Sequence, residues 1–538
     1  MTRTRRPALA RIAAHEAPAG PPPRMMASKC ASAWTCPDEV SASQETVLVR
    51  AESIGARVYL LPARSVPLRV QACILPPMDP LLARFLELAA EAPGAPALMG
   101  PGGSASRGEV AAKVRSLGLS WQQTFAARGI DAGAVIALYV PTEPDFLVAF
   151  LACRMAGACV LALDASLTEE EQRQVSATLG ARCRWRADGA STDSTLAADS
   201  IDWLDGSRQL PKAACLLLTS GSSGEPVGVA VSGAALVADG RALIHSMGLR
   251  AEDRILASIP LSHAYGLSVI ATPAWLLGCA VVTPARGRDL EAAEEYRATV
   301  WPSVPSWYEA HLAAAHGGRL PTSLRLMISA GAPLRPRTAR AWNERYGSGI
   351  HVLYGSSECG GISYDRQGDA AARGSVGSAV EGVRIELDGQ GSVTVYSEAV
   401  AEGYVPGTAL RDTRITQGCF QTDDMAHFEG DELFLDGRKS DWINIKGKKV
   451  NPHEVEGVLA QHPKILDVAV LARALPDDRG EAIRAVIACA DGSLRFRDVV
   501  EWCRPRLARH KYPRSVVLVR NLPRNERGKL DKCALRDL

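Results

Sequence analysis

The chain has no surplus of charge of either sign: 61 Lys and Arg stand against 59 Asp and Glu, a formal net charge of +2, and no long basic run follows the first few residues. Bulk electrostatic attraction to nucleic acid is left without a basis. The sequence also lacks the tightly paired cysteines of zinc sites. Its 13 cysteines are scattered singly, and the closest pairs, Cys30 with Cys36 and Cys153 with Cys159, read as reduced and structural. No long apolar run is uninterrupted. LVAFLACRMAGACVLALDA from Leu147 is broken by Arg154 and Gly157 and reads as helix, turn and strand, so no membrane span is expected. Arg3, Arg5 and Arg6 precede no apolar core of a secretory signal, and a cytoplasmic location is the expectation. No fixed-period repeat is present.

What is present is material for two or more domains, with 538 residues of which 47% are hydrophobic. Residues 1–77 are basic, rich in Ala and Pro and without sustained periodicity, and are expected to be disordered or outside the core fold. From Met78 the pattern changes to an amphipathic helix, DPLLARFLELAAEA. VIALYV at 135–140 and CVLAL at 159–163 then flank the helical FLVAFLACRMAG, a strand, helix, strand unit of a parallel sheet. ILASI, AVVTP, ATVWPSV, LRLMISAG and IHVLYG continue the alternation. The predicted fold is α/β: a large domain at 78–436 with parallel-rich sheets and flanking helices, and a small, mobile α+β domain at 437–538.

One stretch carries the first chemical signal. In LLLTSGSSGEPVGVAVS at 216–232, the leucines and VAV predict strands, with a turn or loop from Thr219 to Gly228. Its glycines allow close backbone approach, and Thr219, Ser220, Ser222 and Ser223 supply hydroxyl donors, the makings of a phosphate cradle. The loop is not that of the P-loop nucleotide triphosphatases, which ends in Gly-Lys-Ser/Thr. Taken alone, it reads equally as a flexible Ser/Gly hairpin.

Further stretches stand in order behind it: IPLSHAYGL (259–267), SAGAPL (329–334), YGSSE (354–358), FQTDD (420–424), GRKSDWINIKGKKVNPHEVE (437–456) and LPRNERGKLDK (522–532). Together they make the chain, from about residue 78 onward, resemble the adenylate-forming superfamily of acyl-CoA and aryl-CoA synthetases, luciferases and nonribosomal adenylation domains. It is closest in type to the acyl- or aryl-CoA ligases. The resemblance implies that Thr219, Ser220, Gly221, Ser222, Ser223 and Gly224 wrap the β- and γ-phosphates of ATP, with Val227 where the family usually has Lys. It implies that Tyr354 lies against adenine, that Ser357 contacts the α-phosphate beside Gly355 and Ser356, and that Glu358 coordinates Mg²⁺. Gly331, Ala332 and Pro333 would line the adenine pocket. Asp424 would accept the ribose hydroxyls, with Asp423 replacing a usual glycine, and Arg438 would help hold ribose or phosphate. Ser440 stands at the family's pivot, where Asp or Lys is common, Gly447 at the thiol tunnel, and Lys529 at the adenylation lysine. His263 takes the place of a gate between acyl pocket and thiol tunnel.

The implied reaction is attack of a carboxylate on ATP to give acyl-AMP and pyrophosphate. A swing of the C-terminal domain about Ser440 would then admit a thiol, from CoA or the phosphopantetheine of a carrier protein, to form a thioester. The 259–267 stretch has no Asp to pair an α-amino group, which favours a simple fatty or aromatic acid. Its pocket is expected along 263–267, 303–308 and 329–333, with Gly360 and Gly361 hinting at room for a bulky or long acid. Two alternatives remain at this stage: a ligase that loads a carrier protein in a biosynthetic pathway, and a degenerate, non-catalytic nucleotide or acyl binder. Retention of Glu358, Asp424 and Lys529 speaks against the binder.

Overall fold

A computed structural model describes residues 48–51, 56–59, 78–140, 143–186, 201–220, 226–314, 319–405, 414–445, 448–475, 481–489, 492–524 and 530–538. The chain divides into two compact units, Met1–Ile74 and Leu75–Leu538. In the first, the strands Leu48–Ala51 and Ala56–Tyr59 pair antiparallel, within a stretch where the sequence predicts no regular element.

The second unit opens with the expected amphipathic helix, Pro80–Glu91. Asp79 caps it by accepting from the N–H groups of Leu81 and Leu82 at 3.0 and 3.3 Å, and Pro80 supplies a pre-set first turn. The other oxygen of Asp79 takes Arg154 Nε at 2.8 Å, which ties the helix start to the end of the helix Glu143–Met155. That second helix joins the parallel strands Val135–Tyr139 and Cys159–Leu163, the crossover the sequence predicts. It is buried over its whole middle, Phe146 to Cys153, so its apolar run is continuous, where a helix with one wet face would show a stripe.

Two large sheets carry the fold. One has seven strands in the order Gly403–Tyr404, Pro226–Ser232, Ala213–Ser220, Cys159–Leu163, Val135–Tyr139, Cys183–Arg186, Ile201–Trp203, and its four central neighbours run parallel. The other has nine, in the order Ser378–Ala379, Gly360–Tyr364, His351–Ser356, Leu326–Ser329, Val300–Ser303, Arg254–Leu256, Ala280–Val282, Pro96–Gly100, Gly103–Ser106. It is parallel from His351–Ser356 to Pro96–Gly100. Val160, Leu217 and Val229 of the first sheet and Ile255, Val300 and Ile328 of the second belong to one hydrophobic core. A smaller antiparallel sheet includes Ser392–Tyr396, Cys419–Glu429 and Glu432–Arg438.

The C-terminal segment has a core of its own, including Ile443, Val450, Val455, Leu459, Ile483, Ile487 and Val499. The hairpin Ile443–Ile445 with Lys448–Val450, the helices Pro452–Leu459 and Phe496–Cys503, and a three-stranded sheet of Ile465–Ala474, Glu481–Cys489 and Ser515–Val519 enclose it. The architecture is the predicted α/β fold, a large part with parallel-rich sheets and a small α+β part. Among the described residues no helix is long and apolar enough to cross a membrane.

Candidate active site

The predicted loop at Thr219–Gly228 is shorter than the sequence indicates. Strand Ala213–Ser220 pairs antiparallel with Pro226–Ser232, with Ser220 opposite Pro226 and Thr219 opposite Val227. The hydroxyl-rich residues resemble a turn in composition, yet Thr219 and Ser220 are strand residues. Val227 is fully buried, as suits a β-branched side chain inside a sheet. Gly221, Ser222, Ser223 and Gly224 lie outside the described residues, as do Gly447 and Lys529.

YGSSE straddles a hairpin. Strand His351–Ser356 runs parallel to Leu326–Ser329, then turns through Ser357–Cys359 into the antiparallel Gly360–Tyr364, so Tyr354, Gly355 and Ser356 are strand residues and Ser357 and Glu358 lie in the turn. Ser356 Oγ accepts from the Glu358 N–H at 3.2 Å and fixes that turn. Gly355 has no room for a side chain, because a Cβ there would lie 2.5 Å from the Gly360 carbonyl oxygen. Gly331, Ala332 and Pro333 follow the end of the adjacent strand Leu326–Ser329, and Gly331 has φ +83°, the left-handed region that favours glycine. The candidate site is thus at the carboxyl ends of parallel strands, where open α/β sheets bind ligands.

Three predicted residues meet directly. Tyr354 donates its phenol to Asp424 Oδ2 at 2.7 Å, and Arg438 Nε donates to Asp424 Oδ1 at 3.3 Å. The register of Cys419–Glu429 against Glu432–Arg438, which sets Asp424 opposite Arg438, produces the second contact. Burial, followed by the charge and hydrogen bond of Asp424, pushes the Tyr354 phenol far above its usual range, so it stays a donor. A carboxylate has about four lone-pair sites, so Asp424 keeps acceptor capacity with both contacts made. The neighbouring Asp423 has no glycine-like backbone, since Arg297 is the one non-glycine of positive φ among the described residues. Its Oδ2 accepts the Ser440 N–H at 3.3 Å and the Ser440 hydroxyl as well. The two departures from the family pattern, Asp423 and Ser440, are therefore partners.

Two further pairings were not legible in the motifs. Glu358 Oε1 accepts from the Tyr404 hydroxyl at 3.0 Å. His263 Nε2 lies 2.5 Å from Asp164 Oδ2. Asp164 follows strand Cys159–Leu163 of the seven-stranded sheet, and His263 follows Arg254–Leu256 of the nine-stranded sheet, so the pair joins carboxyl ends of strands from both. Burial opposes ionisation of Asp164, but hydrogen bonds from His263 and Ser166 outweigh it and hold the carboxyl well below the usual carboxylate range. The available signal was an acidic residue placed just past a buried parallel strand, in VLALDAS.

Of the segments expected to line an acid pocket, 263–267 and 303–308 meet. The Tyr265 hydroxyl donates to the carbonyl oxygen of Ile328, just before 329–333, at 2.9 Å, with the Ser303 carbonyl oxygen 3.3 Å away. The glycines at its edge leave less room than their size suggests. A Cβ on Gly360 would come 2.3 Å from Asp239 Oδ1, and one on Gly361 would come 2.7 Å from Leu243 Cδ2, so the helix Gly233–Met247 fills that space. Asp239 is buried there and accepts from the Gly361 N–H at 2.9 Å.

For Mg²⁺, no group of three or more His, Cys, Asp or Glu is placed to hold a metal among the described residues. Glu358 alone fits the usual pattern for this ion, which takes one or two carboxylates together with substrate phosphates and water.

Known proteins share the sequence pattern and the fold. Residues 85–405 match the family model of AMP-binding enzymes, and residues 454–529 match the AMP-binding enzyme C-terminal domain. The indoleacetate–CoA ligase of Aromatoleum aromaticum is 29% identical over 491 residues, covering 83% of this chain and 95% of that protein. A feruloyl-CoA synthase of an Amycolatopsis species is 30% identical over 446 residues, covering 76% and 90%. ATP-bound MatB from Rhodopseudomonas palustris superposes with a TM-score of 0.74 at 23% identity, covering 85% of this chain and 98% of that one, a likeness of fold.

Proposed function

The chain belongs to the AMP-binding enzyme family, and from that premise we propose that the Tyr354, Asp424 and Arg438 cluster is the nucleotide end of its active site. The protein is an AMP-forming acid–thiol ligase of the acyl-CoA synthetase type, which activates a carboxylic acid with ATP and passes it to CoA. The observation that carries the assignment is the shared carboxylate: one Asp424 oxygen is held by Tyr354 and the other by Arg438, at the carboxyl ends of the parallel strands.

In this reading Tyr354 and the Gly331–Pro333 turn flank adenine, and the free lone pairs of Asp424 accept from the ribose hydroxyls. Thr219 to Gly224 surround the β- and γ-phosphates, and Ser357 meets the α-phosphate. Glu358, braced by the Tyr404 hydroxyl, offers a carboxylate to Mg²⁺, which when bound offsets negative charge on the phosphates. As the substrate carboxylate attacks the α-phosphorus, charge builds on the phosphoryl oxygens, and the Lys529 ammonium stabilises that state more than the ground state. The C-terminal part, 437–538, then turns about Ser440, which withdraws Lys529 and brings Gly447 to the path of the CoA thiol.

The test is ATP–pyrophosphate exchange by the full chain against pooled aliphatic, aromatic and amino acids. Exchange with one pool is expected, falling about 10²- to 10³-fold in Lys529→Ala, the scale of losing one preorganised transition-state donor. Equal exchange by the variant would remove Lys529 from the mechanism, and no exchange with any pool would defeat the assignment. Supplying CoA or a phosphopantetheinylated carrier protein to the active mixture then identifies the acceptor, with CoA expected.

A further inference from the structure

The contact between His263 and Asp164 gives the imidazole a defined orientation. Asp164 is itself held rigidly: its Oδ1 accepts from the Ser166 N–H at 2.8 Å and the Ser166 hydroxyl at 2.7 Å, while Oδ2 faces His263 Nε2 at 2.5 Å. The Asp164 side chain is 8% exposed and that of His263 27%, so the carboxylate lies beneath a ring that solvent and ligands can still reach. A carboxylate with no proton to give is an acceptor only, so the hydrogen in the contact belongs to Nε2. The hydrogen bond made by one ring nitrogen sets the role of the other.

We propose that Asp164 is the positioning residue that keeps the proton of His263 on Nε2, leaving Nδ1 as the acceptor of the thiol proton during thioester formation. The inference rests on the ligase reading above. As the thiol sulfur forms its bond to the carbonyl carbon of the acyl-AMP, the S–H proton passes to Nδ1. The bond from that carbon to the phosphate oxygen breaks, and AMP leaves with the electron pair. The imidazolium so formed faces the Asp164 carboxylate, which balances its charge where bulk water is partly excluded. Because the pair comes from two different sheets, the ring is held by the scaffold at both of its attachments, backbone and Nε2.

Asp164→Asn separates this role from packing. The isosteric amide keeps an oxygen for Ser166 but turns an N–H toward Nε2, which forces the opposite tautomer. With the acid that supports exchange, the two half-reactions are measured separately: pyrophosphate exchange, and single-turnover thioester formation on adding CoA to preformed acyl-AMP. The ratio of thioester formation to exchange is expected to fall about 10²-fold, the lower range for a lost general base. The loss should fall on the rate at saturating CoA and leave the KM for CoA little changed. In a His263→Gln background the same substitution should add almost nothing. An unchanged ratio, a loss confined to KM, or a full additional loss in the His263→Gln background would each overturn the proposal. If melting shows that Asp164→Asn does not fold, His263→Gln alone decides, since a normal ratio in that variant overturns the role. A native protein that exchanges with no acid defeats the ligase reading itself, a result distinct from any of these.

Discussion

Asp79 and Asp467 both hold arginines, and their surroundings make the two arrangements differ in kind. Asp79, 2% exposed, pairs with Arg154, 11% exposed, inside the large part of the molecule, and the same carboxylate caps a helix. Asp467, 18% exposed, bridges Arg335 of the large part and Arg524 near the C-terminus, which are 28% and 31% exposed. Ser440 of the C-terminal part meets Asp423 of the large part, again within reach of solvent. A buried charge left without its partner is expensive, whereas a wetted pair is worth about 0–1 kcal/mol and is screened by salt. The interior is therefore locked by contacts that cannot open at ordinary cost. The junction with the C-terminal part uses contacts that can, which suits the domain rotation proposed above.

The strongest way to break that contrast is Arg154→Met. It keeps an apolar stem but leaves the Asp79 carboxylate buried with no guanidinium, and unfolding free energy is expected to fall by about 3–5 kcal/mol in chemical denaturation. A loss below about 1 kcal/mol would place this pair with the junction contacts.

Val227→Lys sharpens the same contrast from the site side. The family resemblance alone predicts that restoring lysine lowers the apparent KM for ATP. The structure reverses the expectation, because Val227 is fully buried opposite Thr219, so an ammonium there enters the sheet unpaired. Roughly 3 kcal/mol of stability should be lost, at the low end for an uncompensated buried charge, with no gain in ATP affinity. A tighter KM at unchanged melting temperature would show that the side chain can turn out toward the phosphates.

The sequence was most legible where the signal is local. VIALYV, FLVAFLACRMAG and CVLAL became strand, helix and parallel strand because periodicity and length are read within one window. YGSSE and GRK became part of a contact cluster because each lies at the end of a strand, and FQTDD joined them because the hairpin register sets Asp424 opposite Arg438. The loop at Thr219–Gly228 was overextended because Thr, Ser and Gly resemble a turn until strand pairing claims Thr219 and Ser220. VLALDAS marks Asp164 just past a buried strand, but its pairing with His263 was out of reach, since contacts between separate sheets leave no mark in a single window. The space behind Gly360 and Gly361 was misread for the same reason, as Asp239 and Leu243 arrive from a distant helix. Asp423 and Ser440 were each noticed as departures, but only the hairpin register brings them together.

The finest test lies in that last pair. Glycine is usual in the family at the position of Asp423, and the pivot is usually Asp or Lys; here a carboxylate holds both the backbone N–H and the hydroxyl of Ser440. If this contact restrains the pivot, Asp423→Ala should leave global stability within about 0.5 kcal/mol, as a substitution outside the core does. The Ser440 amide should then exchange its hydrogen roughly fivefold faster, corresponding to one net hydrogen bond of about 1 kcal/mol. Ser440→Ala keeps the amide contact and loses only the hydroxyl, so it should accelerate exchange less than Asp423→Ala does. An unchanged exchange rate in both variants would mean that the pivot is held by its other neighbours, and the junction would then be less easily opened than its exposed contacts imply.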